Sequence, residues 1–193
     1  MSNSVVDGWY CDGGLSKTEI EANGKKAWDL LLAAGYSREA AGAVIGNMRV
    51  ESVQIDPTRA NATNDTYGLV QWHPASKIQN WASSLGVDYR SGTVQISRIE
   101  YEYANSLQWI NTTGGETYHW SDFKISTDSP ESLAVVWRKH YEVAGDAYDE
   151  QRSTWARYYY NLYSGSGGTL PPWLLFQFTR RKPHGRTIFL RSH

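Results

Sequence analysis

The 193-residue chain has room for one principal domain and at most a short appendage, and its 40% apolar share is enough for a core. A net charge of −1 hides an uneven spread: residues 165–193 hold Arg180, Arg181, Lys182, Arg186 and Arg191 and no acid, leaving 14 bases against 20 acids in residues 1–164, a net −6. An acidic body argues against nucleic acid as a ligand, and a lone Cys11 excludes an internal disulfide and a zinc site built on thiolates.

Residues 1–23 are polar and glycine-containing and read as an N-terminal arm with little structure of its own. Met1 to Asp7 lacks the basic start and apolar run of a signal peptide, and no segment approaches the roughly 18 apolar residues of a membrane span. The expected product is a protein made in the cytoplasm that reaches any external substrate by lysis, a membrane pore or a virus particle. The main body is expected over residues 24–164. Its first helix is predicted from about Lys25 to Ala34, with Ala27, Leu30, Leu31 and Ala34 at helical spacing and Gly35 as the stop. Ser37 caps a second helix that carries Ala40, Ala41, Val44, Ile45 and Met48 inward and closes on Glu51 before the Asp56-Pro57 turn.

Residues 56–66 are turn chemistry with room for at most a small hairpin. His73-Pro74 is expected to open a third helix with Ile78, Trp81, Ala82 and Leu85 on one face, stopped by Gly86. A fourth, from about Thr93 to Leu107, sets Gln95, Ile99 and Glu102 at i, i+4 and i+7. After a Gly114-Gly115 loop, Ser129-Pro130-Glu131 is a helix start, with Leu133, Trp137, His140 and Tyr141 facing in. The last helix, from about Asp149 to Tyr163, shows Arg152, Ala156, Tyr159 and Tyr163 on one stripe. Residues 165–193 read as a Gly/Ser linker followed by an apolar and basic tail.

Glu51 is the informative residue. At about 100° per residue it falls close to Ala40 and Val44, on the stripe that should face the core. A carboxylate there is either paired or functional. Burial without a partner raises the pKa of an acid, which is what a proton donor needs near neutral pH. The stretch Gly68-Leu69-Val70-Gln71-Trp72 supplies complementary chemistry: a glycine for close approach, an amide able to meet an N-acetyl group, and an indole that stacks on a sugar, with Tyr67 able to do the same. The aromatic excess of 9 Trp and 13 Tyr over 4 Phe suits wet, sugar-binding clefts as well as packing. The five histidines have no ligand spacing and no glycine-rich phosphate loop follows a strand, so neither a metal nor another cofactor is expected.

Ile45-Gly46-Asn47-Met48 with Glu51-Ser52, then Gly68 to Trp72, then Gln95-Ile96 with Glu102, then Ala134 to Glu142 and the Arg152, Ala156, Tyr159 helix together resemble the phage tail lysozyme family, over about residues 25–163. That family is distantly similar to goose-type lysozymes and lytic transglycosylases. Where many relatives carry Gly-Leu-Asn-Pro after the Glu-Ser pair, this chain has Val53-Gln54-Ile55-Asp56-Pro57. The resemblance implies a mainly α, lysozyme-like single domain with a small β hairpin and a central catalytic helix, acting on bacterial peptidoglycan between N-acetylmuramic acid and N-acetylglucosamine, with other phage tail proteins as further partners. It implies Glu51 as the catalytic acid and Gln71 and Trp72 as cleft residues. Tyr67, Gly68, Gln95, Glu102 and Tyr141 complete the expected substrate-binding set, and Asp65 is the candidate for orienting a water. Glu102 and Glu142 are further candidates for a second carboxylate, or else partners of Arg49, Arg98 or Arg138. A lytic transglycosylase and a non-catalytic glycan-binding tail module are the alternative readings.

Overall fold

A computed structural model describes residues 4–165, and the expected linker and tail from 166 onward lie outside the described residues. The fold is mostly helical. Among the described residues seven α-helices run in the order α1 (Lys17–Ala33), α2 (Arg38–Glu51), α3 (Ser76–Ser84), α4 (Gly92–Ala104), α5 (Trp120–Ile125), α6 (Pro130–Trp137) and α7 (Asp149–Tyr163). Two antiparallel hairpins accompany them, β1 (Val5–Val6) with β2 (Trp9–Tyr10) and β3 (Thr112–Thr113) with β4 (Glu116–Thr117). No helix among the described residues is long and apolar enough to cross a membrane.

The N-terminal segment differs from its sequence reading. The first helix starts at Lys17, eight residues before the expected Lys25, because Ser16 and Glu19 form a capping box that satisfies the first backbone N–H groups. Residues 4–15 are a strap rather than an unstructured arm. Trp9 is fully buried and donates its indole N–H to Thr93 (3.1 Å). The Asn23 side chain accepts from the Tyr10 N–H and donates to the Tyr10 and Ile55 carbonyls, so a buried polar residue ties strap, α1 and the loop after α2 together. The strap then grips that loop: Asp12 N–H donates to Thr58, Gly13 N–H to Asp56, and Leu15 N–H to Gln54.

Helix α2 is the axis of the molecule. Every residue from Ala40 to Arg49 is buried, a helix apolar almost all round, as expected for one enclosed by neighbours. Its closest neighbour is α7. A Cβ placed on Gly46 would meet the Ala156 nitrogen at 2.6 Å and the Arg152 carbonyl at 2.7 Å, and one on Gly42 the Ala156 carbonyl at 3.1 Å. The absence of side chains at these two positions lets the helix backbones touch. That contact carries Arg152 of α7 to the Asn47 and Glu51 end of α2.

Beyond α2 the core is aromatic. Trp137 stacks on Tyr141 (4.1 Å between centroids, 23° between planes), and Trp109 lies between Trp120 and His140. After α6 the backbone opens into a π turn over Arg138–Glu142 and reverses at Val143, which has a left-handed φ of 52°. The sequence reading extended α6 through this segment without a break. The predicted span of α7 agrees with the structure, α4 ends three residues earlier than Leu107, and the short helix α5 was not anticipated.

Candidate active site

The last turn of α2 faces inward with Glu51 at its end. Ala40, Val44 and Met48 on the same stripe are fully buried, while the Glu51 side chain retains 21% exposure. It therefore sits where an interior face meets solvent. The Arg152 Nη2 group donates to Glu51 Oε1, and Arg152 Nε donates to Asn47 Oδ1 (2.8 Å). Asn47 is itself fixed, since its amide donates to the carbonyls of Ala43 and Ala134 at 3.0 Å each. Arg152 is only 3% exposed, so its guanidinium is aimed by a buried chain of hydrogen bonds that starts on α6.

A second carboxyl group belongs to the same cluster. Glu142, at the end of the π turn, accepts the Trp137 indole N–H at 2.9 Å. Its residue is half-buried. Burial first and then the Glu51 charge push its pKa well above the ordinary glutamate range, against the opposing pull of Arg152 and the Trp137 hydrogen bond. The sequence reading offered Arg138 as a partner for Glu142, but Arg138 is held by Asp149 through 2.9 and 2.6 Å bonds. Arg49, another of the arginines considered, lies over the Trp155 ring at 4.4 Å.

The Gly68 to Trp72 motif forms a tight loop whose polar groups are spent on one another. Gly68 has φ 85°, and a Cβ there would meet the Gln95 side chain at 2.6 Å. The Gln95 side chain approaches the glycine closely: its carbonyl accepts from Leu69 N–H (2.8 Å), and its amide donates to Pro57 and Tyr89 carbonyls (2.7 and 2.8 Å). Gln71 accepts from the Thr66 hydroxyl and donates to the Arg59 and Gly68 carbonyls. Trp72 is 3% exposed and donates to Glu102 Oε1 at 3.0 Å.

Glu102 is 1% exposed and accepts three bonds, from Trp72, from Arg98 Nε (3.0 Å) and from the Tyr141 hydroxyl (2.6 Å). Its pKa is raised by burial, in part countered by those donors. Arg98 is thus the Glu102 partner that the sequence reading allowed. Tyr141, 1% exposed, stacks on Trp137 and so links Glu102 to the indole that holds Glu142. Of the sugar-facing set expected from sequence, Gln95, Trp72, Glu102 and Tyr141 are interior and act as the frame of the site. Tyr67 alone keeps a half-open ring, edge-on to Tyr89 (5.1 Å). Asp65 is exposed on the preceding loop, where its carboxylate accepts the Thr63 hydroxyl at 2.6 Å.

The arrangement supplies two carboxyl groups and one guanidinium at a partly open position, held by a rigid aromatic and amide frame. Such a set can deliver a proton to an oxygen of a bound ligand. A shallow hollow lined by Glu131, Glu150, Arg157 and Asn161 lies elsewhere: at about 100° per residue the α7 members fall on the side away from Arg152.

A family profile described as phage tail lysozyme matches residues 22–163, which takes in every residue of this cluster. Among curated proteins, Morphogenesis protein 1 of Bacillus phage B103 is 32% identical over 160 residues. The alignment covers 80% of this chain and 43% of that protein, so the chain spans less than half the length of this relative.

Proposed function

The chain belongs to the phage tail lysozyme family, and from that premise we propose that it cleaves the β-1,4 bond between N-acetylmuramic acid and N-acetylglucosamine of peptidoglycan, with Glu51 as the general acid. The observation that carries this reading is the position of Glu51 at the solvent edge of an otherwise sealed helix face, fixed by Arg152 and within the field of Glu142. A surface acid made for solubility would not be aimed by a buried arginine. Glycoside cleavage needs a carboxylic acid that protonates the leaving oxygen as the C1–O bond breaks. Asp65, open on its loop, is the group proposed to orient the attacking water, and Tyr67 the ring proposed to lie against a sugar.

Glu51→Gln keeps the shape and the Arg152 contact but has no proton to give. Turbidity of purified cell walls should then stay constant with the variant while the parent chain clears them. Clearing at the parent rate by the variant would remove Glu51 from the acid role.

A second reading follows from the way the acids are grouped. Arg152 binds Glu51, and Glu142 feels the charge of both, so the two acids are grouped; a lytic transglycosylase, where the muramic 6-hydroxyl attacks in place of water, needs no second carboxylate across the sugar and is compatible with that grouping. Mass spectrometry of the released sugars separates the two, since 1,6-anhydro ends arise only by transglycosylation. The setting proposed for this activity is the phage tail, where a wall-cutting module would open a path through the envelope. The relative's name as a morphogenesis protein of a phage supports that place.

A further inference from the structure

The outer face of the α3–α4 pair carries large rings that the Glu51 cluster does not use. Trp81 of α3 is only partly buried, and Tyr101 of α4 is 41% exposed. Their ring centroids lie 5.6 Å apart with planes tilted by 45°, so the two form an open angle and not a closed stack. Leu85, one turn beyond Trp81 on the same face of α3, is 58% exposed. One turn before Trp81, Lys77 donates to the Gln108 amide oxygen at 3.2 Å and ends the strip in polar groups. Eight residues of helix separate Lys77 from Leu85, about 12 Å, so the strip is longer than one sugar ring.

Arg98 lies beside both rings. Its guanidinium carbon sits 5.5 Å from the Trp81 centroid and 5.1 Å from that of Tyr101, within cation–π range of each. The side chain is 10% exposed, and its Nε is held by Glu102 at 3.0 Å. The two Nη groups differ from Nε: among the described residues they make no hydrogen bond, and neither is sealed from solvent. Most polar atoms of so buried a side chain find partners, so donors left open beside two rings call for an explanation. Charge does not supply it. Glu102 already balances Arg98, and the acidic body around them turns anions away. Such a surface fits a neutral polar ligand with flat apolar faces. A pyranose ring has that character: its C–H face lies on an aromatic ring, and its hydroxyl and N-acetyl oxygens accept from N–H donors.

We propose that Trp81, Tyr101 and the Arg98 Nη groups form a second glycan-binding surface, apart from the Glu51 cluster, that holds the uncharged sugar backbone of peptidoglycan. This inference rests on the peptidoglycan reading for the identity of its ligand. A polymeric substrate gives the surface its use. One strand held on the strip keeps further bonds of the same wall at high local concentration before the Glu51 cluster, so even weak stacking raises retention. Arg98 also joins the strip to the frame of the site, because the Glu102 carboxylate that fixes its Nε takes Trp72 and Tyr141 as well.

Glu51→Gln supplies a form that binds without cutting. Its indole N–H signals can be followed by nitrogen-15 NMR while a soluble β-1,4 oligomer of N-acetylglucosamine is added, with Trp81→Phe assigning the Trp81 signal. The expected result is a saturable shift of Trp81 that Tyr101→Ala removes. Retention of Glu51→Gln on purified walls should fall about tenfold or more when Tyr101→Ala is added, and should largely survive Trp81→Phe, which keeps a ring. Turnover of soluble peptidoglycan fragments by Tyr101→Ala should match the parent. A Trp81 signal that stays still at saturating oligomer would overturn the proposal, as would wall retention indifferent to Tyr101→Ala. So would sedimentation of the parent as a dimer that Tyr101→Ala dissociates, which would assign this face to a second copy of the chain. Walls held through Trp81 by a parent chain that releases no sugar would remove the glycosidase reading and leave the binding surface standing.

Discussion

Replacing Gly46 by alanine sets two physical arguments against each other. Gly46 lies inside α2 with ordinary helical backbone, where alanine is favoured over glycine by about 1 kcal/mol. From helix propensity alone the variant should be the more stable protein. The structure predicts the opposite. The added methyl would sit 2.6 Å from the Ala156 nitrogen and 2.8 Å from its Cα, both backbone atoms of α7 that cannot swing aside. Ordinary carbon contacts need about 3.5–4.0 Å, so the helices must part by about 1 Å, and overpacking of this sort costs roughly 1–3 kcal/mol. Parting α2 from α7 also loosens the Arg152 contact to Asn47 and Glu51. We expect a net loss of up to roughly 2 kcal/mol once propensity is subtracted, which for a domain of this size lowers the melting temperature by up to about 8 °C. Gly42→Ala is the control, since its methyl would meet the Ala156 carbonyl and Tyr160 at 3.1 Å, near enough to tolerable contact for propensity to balance it. Thermal melts followed by circular dichroism at 222 nm, with urea titrations beside them, rank the three proteins. A Gly46→Ala protein that melts above the parent would refute the close α2–α7 crossing, and with it the account of how Arg152 is delivered to Glu51.

Val53, two residues after Glu51, has φ 65° and an exposed side chain, so it bears the left-handed penalty of roughly 1–2 kcal/mol without repayment by burial. Val53→Gly should relieve that and return roughly 0.5–1 kcal/mol to chain entropy, leaving a small net gain in denaturant midpoint; a destabilised variant would mean that the valine makes contacts that offset its strain. Trp9→Ala should cost about 3–5 kcal/mol, since the ring is fully buried against Gly92 and α4, and a cost below 1 kcal/mol would show the strap to be dispensable. Glu142 holds its proton to higher pH in the folded chain than in the unfolded one. Between those two values the native state binds more protons, so this group makes stability fall as pH rises. Melting curves of Glu142→Gln and the parent should therefore converge below about pH 4 and separate towards pH 8 with the variant more stable, and a gap that is constant with pH would contradict the shift.

The helices were legible where periodicity and caps agree. Ser37, Ser129-Pro130 and the Arg152, Ala156, Tyr159 stripe each mark an element the structure contains. The N-terminal strap was not legible, because its hold on the body comes from single long-range contacts, Trp9 on Thr93 and Asn23 on Tyr10 and Ile55, and not from any local repeat. The motif loop was legible as a unit, but the internal pairing of its polar groups was not. Glycine, glutamine and tryptophan in succession suit a ligand, but the same donors and acceptors close a tight turn on itself, and sequence carries nothing that separates an amide facing a sugar from one facing the Arg59 carbonyl.

The site itself shows which anomalies carry information. Glu51 stood out as a charge on an apolar stripe, and Arg152 stood on the inward stripe of a second helix in the same way. Two opposite charges misplaced on two interior faces are most cheaply reconciled by pairing, since either alone would be a buried unpaired ion. That rule reads the Glu51–Arg152 contact from periodicity, without coordinates. It fails for Glu142 because periodicity presupposes the regular helical step, and the π turn breaks that step at the residue that matters. Regular structure is visible in sequence because it repeats; the second carboxyl of this cluster is placed by a departure from regularity, sustained by a single indole N–H and two anchored side chains, and no repeat exists from which to read it.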